Sequence, residues 1–163
     1  MNSFRVFIGL GSNVGDSPGH LSWAVGRLKT ILDKVSCSSL YATKPRDYPD
    51  QPDFLNQCVS GIPRLSPQET LKTLLDWERE RGRQRESTVE KGPRPLDMDI
   101  LLWGNQKISD PDLTLPHPRI TERQFVLVPL LELDPFLIHP VSGIPFFTYL
   151  KALDPQGIYY FHL

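Results

Sequence analysis

The 163-residue sequence is short of several things, and each shortage narrows what the chain does. It has two cysteines, Cys37 and Cys58, in apolar strand-like runs with no metal-ligand spacing. That excludes a disulfide framework and a zinc cage, and both thiols are expected to be free and buried in a cytoplasmic protein. No apolar run approaches the ~20 residues of a membrane helix. Met1–Leu10 lacks the cleavage site of a secretory signal. The net charge of −1 disfavours a strongly basic nucleic-acid binder. No Gly-x-x-x-x-Gly-Lys-Ser/Thr occurs, which excludes a P-loop kinase. Internal repeats and low-complexity stretches are missing too. Proline alone is in excess, at 16 residues, about twice the usual ~5%. The prolines have no period, which excludes collagen. They cluster at Pro45–Pro52, Pro93–Pro95 and Pro111–Pro118, between well-patterned segments, and so mark long, stiff loops rather than disorder.

The patterned segments read as alternating strands and helices. Phe4–Leu10 is a strand with Phe4, Val6, Ile8 and Leu10 on one face, followed by a turn punctuated by Gly9, Gly11 and Gly15. Leu21, Val25, Leu28 and Leu32 recur at helical spacing, so a helix is expected from about Pro18 to Leu32. Val35–Tyr41 and Phe54–Ile62 read as strands on either side of the loop Thr43–Asp53. Ser66-Pro67-Gln68-Glu69 combines an N-cap serine, a first-turn proline and a glutamate at the third position; a helix starts there and stops at Gly82. Leu96–Trp103 is a strand, and Gly104-Asn105 is expected to turn it into a short return near Ile108. Helices are expected around Thr121–Leu133 and Phe146–Leu153. This order predicts an α+β fold, a mixed or antiparallel sheet with helices packed on it, in a single domain spanning residues 1–163. Loops of a dozen structureless residues are usually functional, and about three are present.

The sharpest chemical feature is Leu96-Asp97-Met98-Asp99-Ile100-Leu101-Leu102. On a strand, alternate residues share a face. Leu96, Met98, Ile100 and Leu102 are expected on one side, and Asp97, Asp99, Leu101 and Trp103 on the other. The two carboxylates then lie ~7 Å apart, a spacing that brackets one or two hard cations such as Mg²⁺. Alternating acids also occur on plain solvent-exposed faces, but Leu101 and Trp103 make this face more than polar. Arg83, Arg85, Lys91 and Arg94 lead into it on a loop, whereas Arg79 and Arg81 belong to a solvated helix end. Basic side chains beside metal-binding carboxylates suit phosphoryl transfer, where both neutralise charge on the moving phosphate. His117, mounted between Pro116 and Pro118 beside Arg119 and Arg123, suits a phosphate ligand. Phe54 and Asn56 suit a flat ring stacked on one and read at its edge by the other. Gly9–Gly15 is off the dinucleotide-binding pattern. An RNA-binding module using Phe54 and Phe125 is the rival reading, opposed by the charge balance and the aspartate pair.

Taken together these pieces resemble the 6-hydroxymethyl-7,8-dihydropterin pyrophosphokinase family. The resemblance is carried by Gly11-Ser12-Asn13, Tyr41-Ala42-Thr43, Gln51-Pro52-Asp53-Phe54-Leu55-Asn56 and Gly82-Arg83-Gln84-Arg85. Its most specific part is Gly92-Pro93-Arg94-Pro95-Leu96-Asp97-Met98-Asp99-Ile100-Leu101, and Leu115-Pro116-His117 and Arg123-Gln124-Phe125 complete it. It implies a ferredoxin-like α+β core. It also implies transfer of pyrophosphate from ATP to the pterin hydroxymethyl group, with release of AMP, in folate biosynthesis. By resemblance Asp97 and Asp99 are ligands of two Mg²⁺ ions. Arg85, Arg94, His117 and Arg123 serve the ATP phosphates, Arg85 and Arg94 among them catalytically. Glu78 and Ile100 contact the nucleotide, and Thr43, Phe54, Asn56 and Phe125 form the pterin pocket. No nucleic acid or membrane partner is implied; dihydropteroate synthase is a possible functional neighbour. The chain departs from the family at Glu90 and Lys91, where a basic residue and tryptophan are common, and at Arg46. The loops Thr43–Asp53 and Arg83–Pro95 are expected to close over the substrates.

Overall fold

A computed structural model describes residues 4–45, 50–82 and 93–163. The chain runs β1 (Val6–Ser12), α1 (Ser17–Leu28), β2 (Leu32–Cys37), β3 (Tyr41–Thr43), β4 (Phe54–Pro63) and α2 (Pro67–Glu80). It continues through β5 (Asp97–Trp103), β6 (Ile108–Ser109), β7 (Thr114–Leu115), α3 (Gln124–Leu133), α4 (Phe146–Ala152) and β8 (Ile158–Tyr160). Local chemistry sets the helix starts. Asp16 accepts a hydrogen bond from the Gly19 N–H and opens α1, while Ser66 and Glu69 cap α2 reciprocally, as the sequence pattern predicts.

The main sheet is ordered β5-β1-β4-β3-β8, with β2 also on β4, and every pairing in it is antiparallel. Strand–helix–strand–strand–helix–strand connectivity in this order is the expected ferredoxin-like α+β arrangement. Helices cover both faces. Val6, Ile8, Leu10, Met98 and Ile100 pack with Leu21 and Leu28 of α1 and Leu74 and Trp77 of α2. Phe7, Cys58, Leu101 and Leu102 pack with Leu127 and Leu130 of α3 and Phe146 of α4.

Several expectations need correction. The strand expected over Val35–Tyr41 is two strands, because Ser38 breaks it. Ser38 donates its N–H to the Cys58 carbonyl and accepts the Cys58 N–H on its hydroxyl, both at 2.9 Å, so a side chain takes a ladder position. The return at Ile108–Ser109 pairs with Thr114–Leu115 rather than with β5. The helix expected from about Thr121 begins at Gln124, whereas the one expected from Phe146 begins there, and β8 had no strand signal strong enough to read. Cys58 is buried, but Cys37, at the end of strand β2, is exposed.

On β5 the strict alternation fails after Ile100. The register to β1 shifts between Phe7 and Ile8, which pair with Leu102 and Ile100 and leave Leu101 as an extra residue. Such a bulge swaps the faces of everything beyond it. Leu101 and Leu102 therefore both join the α3/α4 side, and Trp103 joins the α1/α2 side, the reverse of strict alternation for Leu102 and Trp103. Asp97 and Asp99 precede the bulge and keep their shared face.

Candidate active site

A cleft of about 390 Å³ opens over the end of the sheet where β1, β3, β4 and β5 converge. Thr43, Phe54, Asn56, Arg94, Asp97, Arg123 and Phe125 all line it. A smaller adjoining recess shares Gly11, Asn56, Asp97 and Phe125 and adds Gly9 and Asp99. Seven of the residues singled out in the sequence thus share one cleft, and an eighth stands beside it.

Strand register creates this convergence. Gly11 pairs with Asn56 of β4 on one side and with Asp97 of β5 on the other, so the three positions lie abreast across the sheet. One step along, Gly9 pairs with Cys58 and Asp99. A Cβ on Gly11 would stand 3.2 Å from Asn56 Oδ1 and 3.9 Å from Asp97 Cβ, inside the cleft. Glycine keeps open the space between the amide and the carboxylate.

Each wall is braced. Asn56 Nδ2 donates to Thr43 Oγ1 at 3.0 Å; both residues are about 5% exposed, and Phe54 lies opposite Thr43 in the β3–β4 ladder. The Arg94 guanidinium lies 5.7 Å from the Phe54 ring centroid and 3.5 Å from Asp97 Oδ2. Arg123 sits 5.5 Å from the Phe125 ring. The two half-buried rings therefore each carry an arginine at cation–π range.

Asp97 and Asp99 are half-exposed neighbours on one strand face, in front of two glycines that leave the approach clear. Among the described residues no group of three or more His, Cys, Asp or Glu forms a metal cage. An open pair of hard oxygen donors in a cleft fits Mg²⁺, which keeps waters and takes phosphate oxygens as further ligands.

His117 is fixed by its backbone. Its N–H donates to the carbonyl of Leu101, the bulge residue, at 3.0 Å. Its Nδ1 accepts the Arg119 backbone N–H at 3.1 Å, which leaves Nε2 as the proton-bearing nitrogen of the neutral ring. Burial, aided by the charge of Arg123, lowers its pKa. Burial and Arg119 likewise lower the pKa of Arg123, opposed by Asp99 and Asp97, so this guanidinium stands in the field of both carboxylates.

Glu78 and Ile100 lie elsewhere. Glu78 is 1% exposed and accepts the Met98 N–H on Oε2 at 2.7 Å, so α2 grips β5 midway between the two aspartates. Ile100 is in the core on the α1/α2 face. Arg85, like Arg46, Glu90 and Lys91, lies outside the described residues. The cleft also recruits Lys44, Gln51, Arg119, Glu122 and Gln156, which were not named as site residues from the sequence. Arg119 had a signal, its place beside His117. Gln156 had none.

A family model described as 7,8-dihydro-6-hydroxymethylpterin-pyrophosphokinase (HPPK) matches residues 7–135. The chain is 40% identical over 156 residues to the 2-amino-4-hydroxy-6-hydroxymethyldihydropteridine pyrophosphokinase of Methylorubrum extorquens, covering 94% of this chain and 96% of that one. To the same-named protein of Synechocystis it is 37% identical, covering 93% and 77%. It is 44% identical over 130 residues to a folate synthesis bifunctional protein of Arabidopsis thaliana, spanning 79% of this chain and only 27% of that protein. The crystal structure of wild-type HPPK-DHPS from Plasmodium falciparum superposes with a TM-score of 0.69 at 15% identity, over 92% of this chain and 44% of that one. At that identity the likeness speaks for the fold.

Proposed function

The chain belongs to the 7,8-dihydro-6-hydroxymethylpterin-pyrophosphokinase family, and from that premise we propose how its side chains divide the work of its reaction. That reaction moves a pyrophosphoryl group from ATP to the hydroxymethyl group of the dihydropterin, in folate biosynthesis. The observation that carries the assignment of roles is Gly11. It lies on β1 between two flanking strands, with Asn56 of β4 (beside Phe54 and Thr43) on one side and Asp97 of β5 (beside Asp99) on the other, and has no side chain to separate them.

In this reading the pterin ring lies between Phe54 and Phe125. Asn56 and Thr43 meet its polar edge, where their mutual hydrogen bond fixes the amide's orientation. Its hydroxymethyl group points along Gly11 toward Asp97. Asp97 and Asp99 would hold two Mg²⁺ ions, which would supply charge neutralisation to the phosphates. Arg94, Arg123, Arg85 and His117 hold the phosphate chain by charge and by donated hydrogen bonds. The pterin hydroxyl oxygen attacks the β-phosphorus and gives up its proton to solvent, the bond from that phosphorus to the α,β-bridging oxygen breaks, and AMP leaves with that oxygen. Orientation supplies much of the rate, because both reacting groups are held in one cleft.

The nucleotide meets β5 at its outer edge. Alternate backbone groups of an edge strand point away from the sheet. Glu78 takes the outward N–H of Met98, and the backbone of Ile100 is next along that edge. Residues 1–163 work as one pyrophosphokinase unit, in the cytoplasm, with dihydropteroate synthase as a functional neighbour; the 44% identity to part of a folate synthesis bifunctional protein supports a neighbouring folate activity.

Calorimetric titration of the dihydropterin tests the reading. Addition of Mg²⁺ and a non-hydrolysable ATP analogue is expected to tighten binding, and Asp97→Asn to abolish the tightening. Equal affinity with and without the analogue and Mg²⁺ contradicts it.

A further inference from the structure

The matched family region ends at residue 135, yet Gln156 lines the cleft. Its contacts all run to the start of α3. Gln156 Oε1 accepts the backbone N–H of Gln124 at 2.8 Å. Its own N–H donates to Gln124 Oε1 at 3.0 Å, and its Nε2 donates to the Glu122 carbonyl at 2.9 Å. The exchange matters because the residue at the N-cap position of α3, Arg123, makes no side-chain capping bond. The first amides of a helix have no partner within it and must find one outside. Here the partner is a glutamine 32 residues away. The amide it holds lies between Arg123 and Phe125, the arginine and the ring on that wall of the cleft.

The residues after Gln156 grip the opposite wall. The chain turns at Gly157, whose φ of 78° glycine tolerates, and a Cβ there would stand 3.6 Å from Lys44 Cβ. Ile158 pairs with Thr43, and the Tyr159 hydroxyl donates to Asp53 Oδ2 at 2.6 Å. One short segment therefore joins the first turn of α3 to β3 and to the approach to Phe54.

We propose that Gln156 is a positioning residue for the pterin site, capping α3 from outside so that Phe125 and Arg123 are held over the cleft at a fixed distance from the β3–β4 wall. This rests on the reading of the cleft as the pterin pocket. Gln156 acts through Gln124 and Glu122.

Gln156→Ala in the full chain is the test. The Gln124 amide should exchange faster with solvent, and the pterin KM should rise roughly tenfold, the scale of a lost helix cap. The ATP KM should move less and kcat least. Gln156→Glu keeps an acceptor for the Gln124 amide and is expected to recover part of the pterin affinity. If Gln156→Ala melts earlier with pterin KM and kcat both unchanged, the residue is merely structural and the proposal falls. A Glu variant no better than Ala also overturns it. Direct titration of the wild-type chain separates the two readings: failure of the wild type to bind dihydropterin overturns both, whereas intact wild-type binding with a silent Gln156→Ala overturns this one alone.

Discussion

Asn13 and Arg94, 81 residues apart, are joined by two hydrogen bonds: the Asn13 N–H donates to the Arg94 carbonyl at 3.1 Å, and the Arg94 N–H donates to Asn13 Oδ1 at 2.9 Å. Asn13 Nδ2 also donates to Gln51 Oε1 at 2.8 Å and to the Pro52 carbonyl at 3.1 Å. One buried amide thus ties the turn after β1 to the approaches to both β4 and β5. The Gly-Ser-Asn stretch is a knot that places Arg94 and Phe54.

Asn13→Ala removes the side-chain bonds to the Arg94 N–H, Gln51 Oε1 and the Pro52 carbonyl and keeps the backbone bond to the Arg94 carbonyl, which should cost about 1–3 kcal/mol of stability. Both substrate KM values should rise, because the two approaches loosen together. Steady-state kinetics against each substrate, with a thermal melt alongside, checks this. A rise confined to one substrate contradicts a shared anchor.

Asp97→Asn and Asp99→Asn should each lower kcat by roughly 10²-fold or more with the fold retained, since each removes charge from the pair facing the phosphates. Excess Mg²⁺ should not restore the rate. Circular dichroism and single-turnover assays report the two halves. Near-normal turnover in either variant removes that aspartate from the metal site.

Phe125→Leu keeps much of the apolar volume but loses the ring face and its contact with Arg123. Loss of one stacking face should weaken pterin binding by ~5–150-fold, equivalent to ~1–3 kcal/mol by analogy with base–aromatic stacking. The half-buried position predicts little change in Tm. Early melting with unchanged pterin affinity would show Phe125 to be a core residue instead.

His117 carries a pH dependence. Its folded pKa lies below the ordinary 6.5 because burial, then Arg123, disfavours the charged ring. The unfolded chain therefore binds more protons as pH falls below 6.5, and the contribution to stability, full above that value, is lost down to the lowered folded pKa. His20 and His139 shift in the same direction, each chiefly through burial. Tm should fall between pH 7.5 and 5.5, and His117→Gln should flatten part of that slope. Identical slopes in calorimetric scans would place the dependence on the other two histidines.

The sequence by itself determined whatever depends on neighbours along the chain. Ser66 and Glu69 close a capping box whose partners are three residues apart, and the period-two pattern sets Asp97 and Asp99 on one face. The residues of the site were legible through the Gly-Pro-Arg-Pro-Leu-Asp-Met-Asp run and its companions, because their types carry chemistry wherever they fall. Tertiary structure alone decided what depends on register and on distant partners. Nothing local distinguishes Leu101 as a bulge; pairing with β1 does, and it exchanges the faces that Leu102 and Trp103 would otherwise take. Gly11 reads as a turn glycine until β4 and β5 bring Asn56 and Asp97 to either side of it. Gln156 carries no signal at all, since a glutamine becomes a helix cap only when another part of the chain delivers an unpaired amide to it.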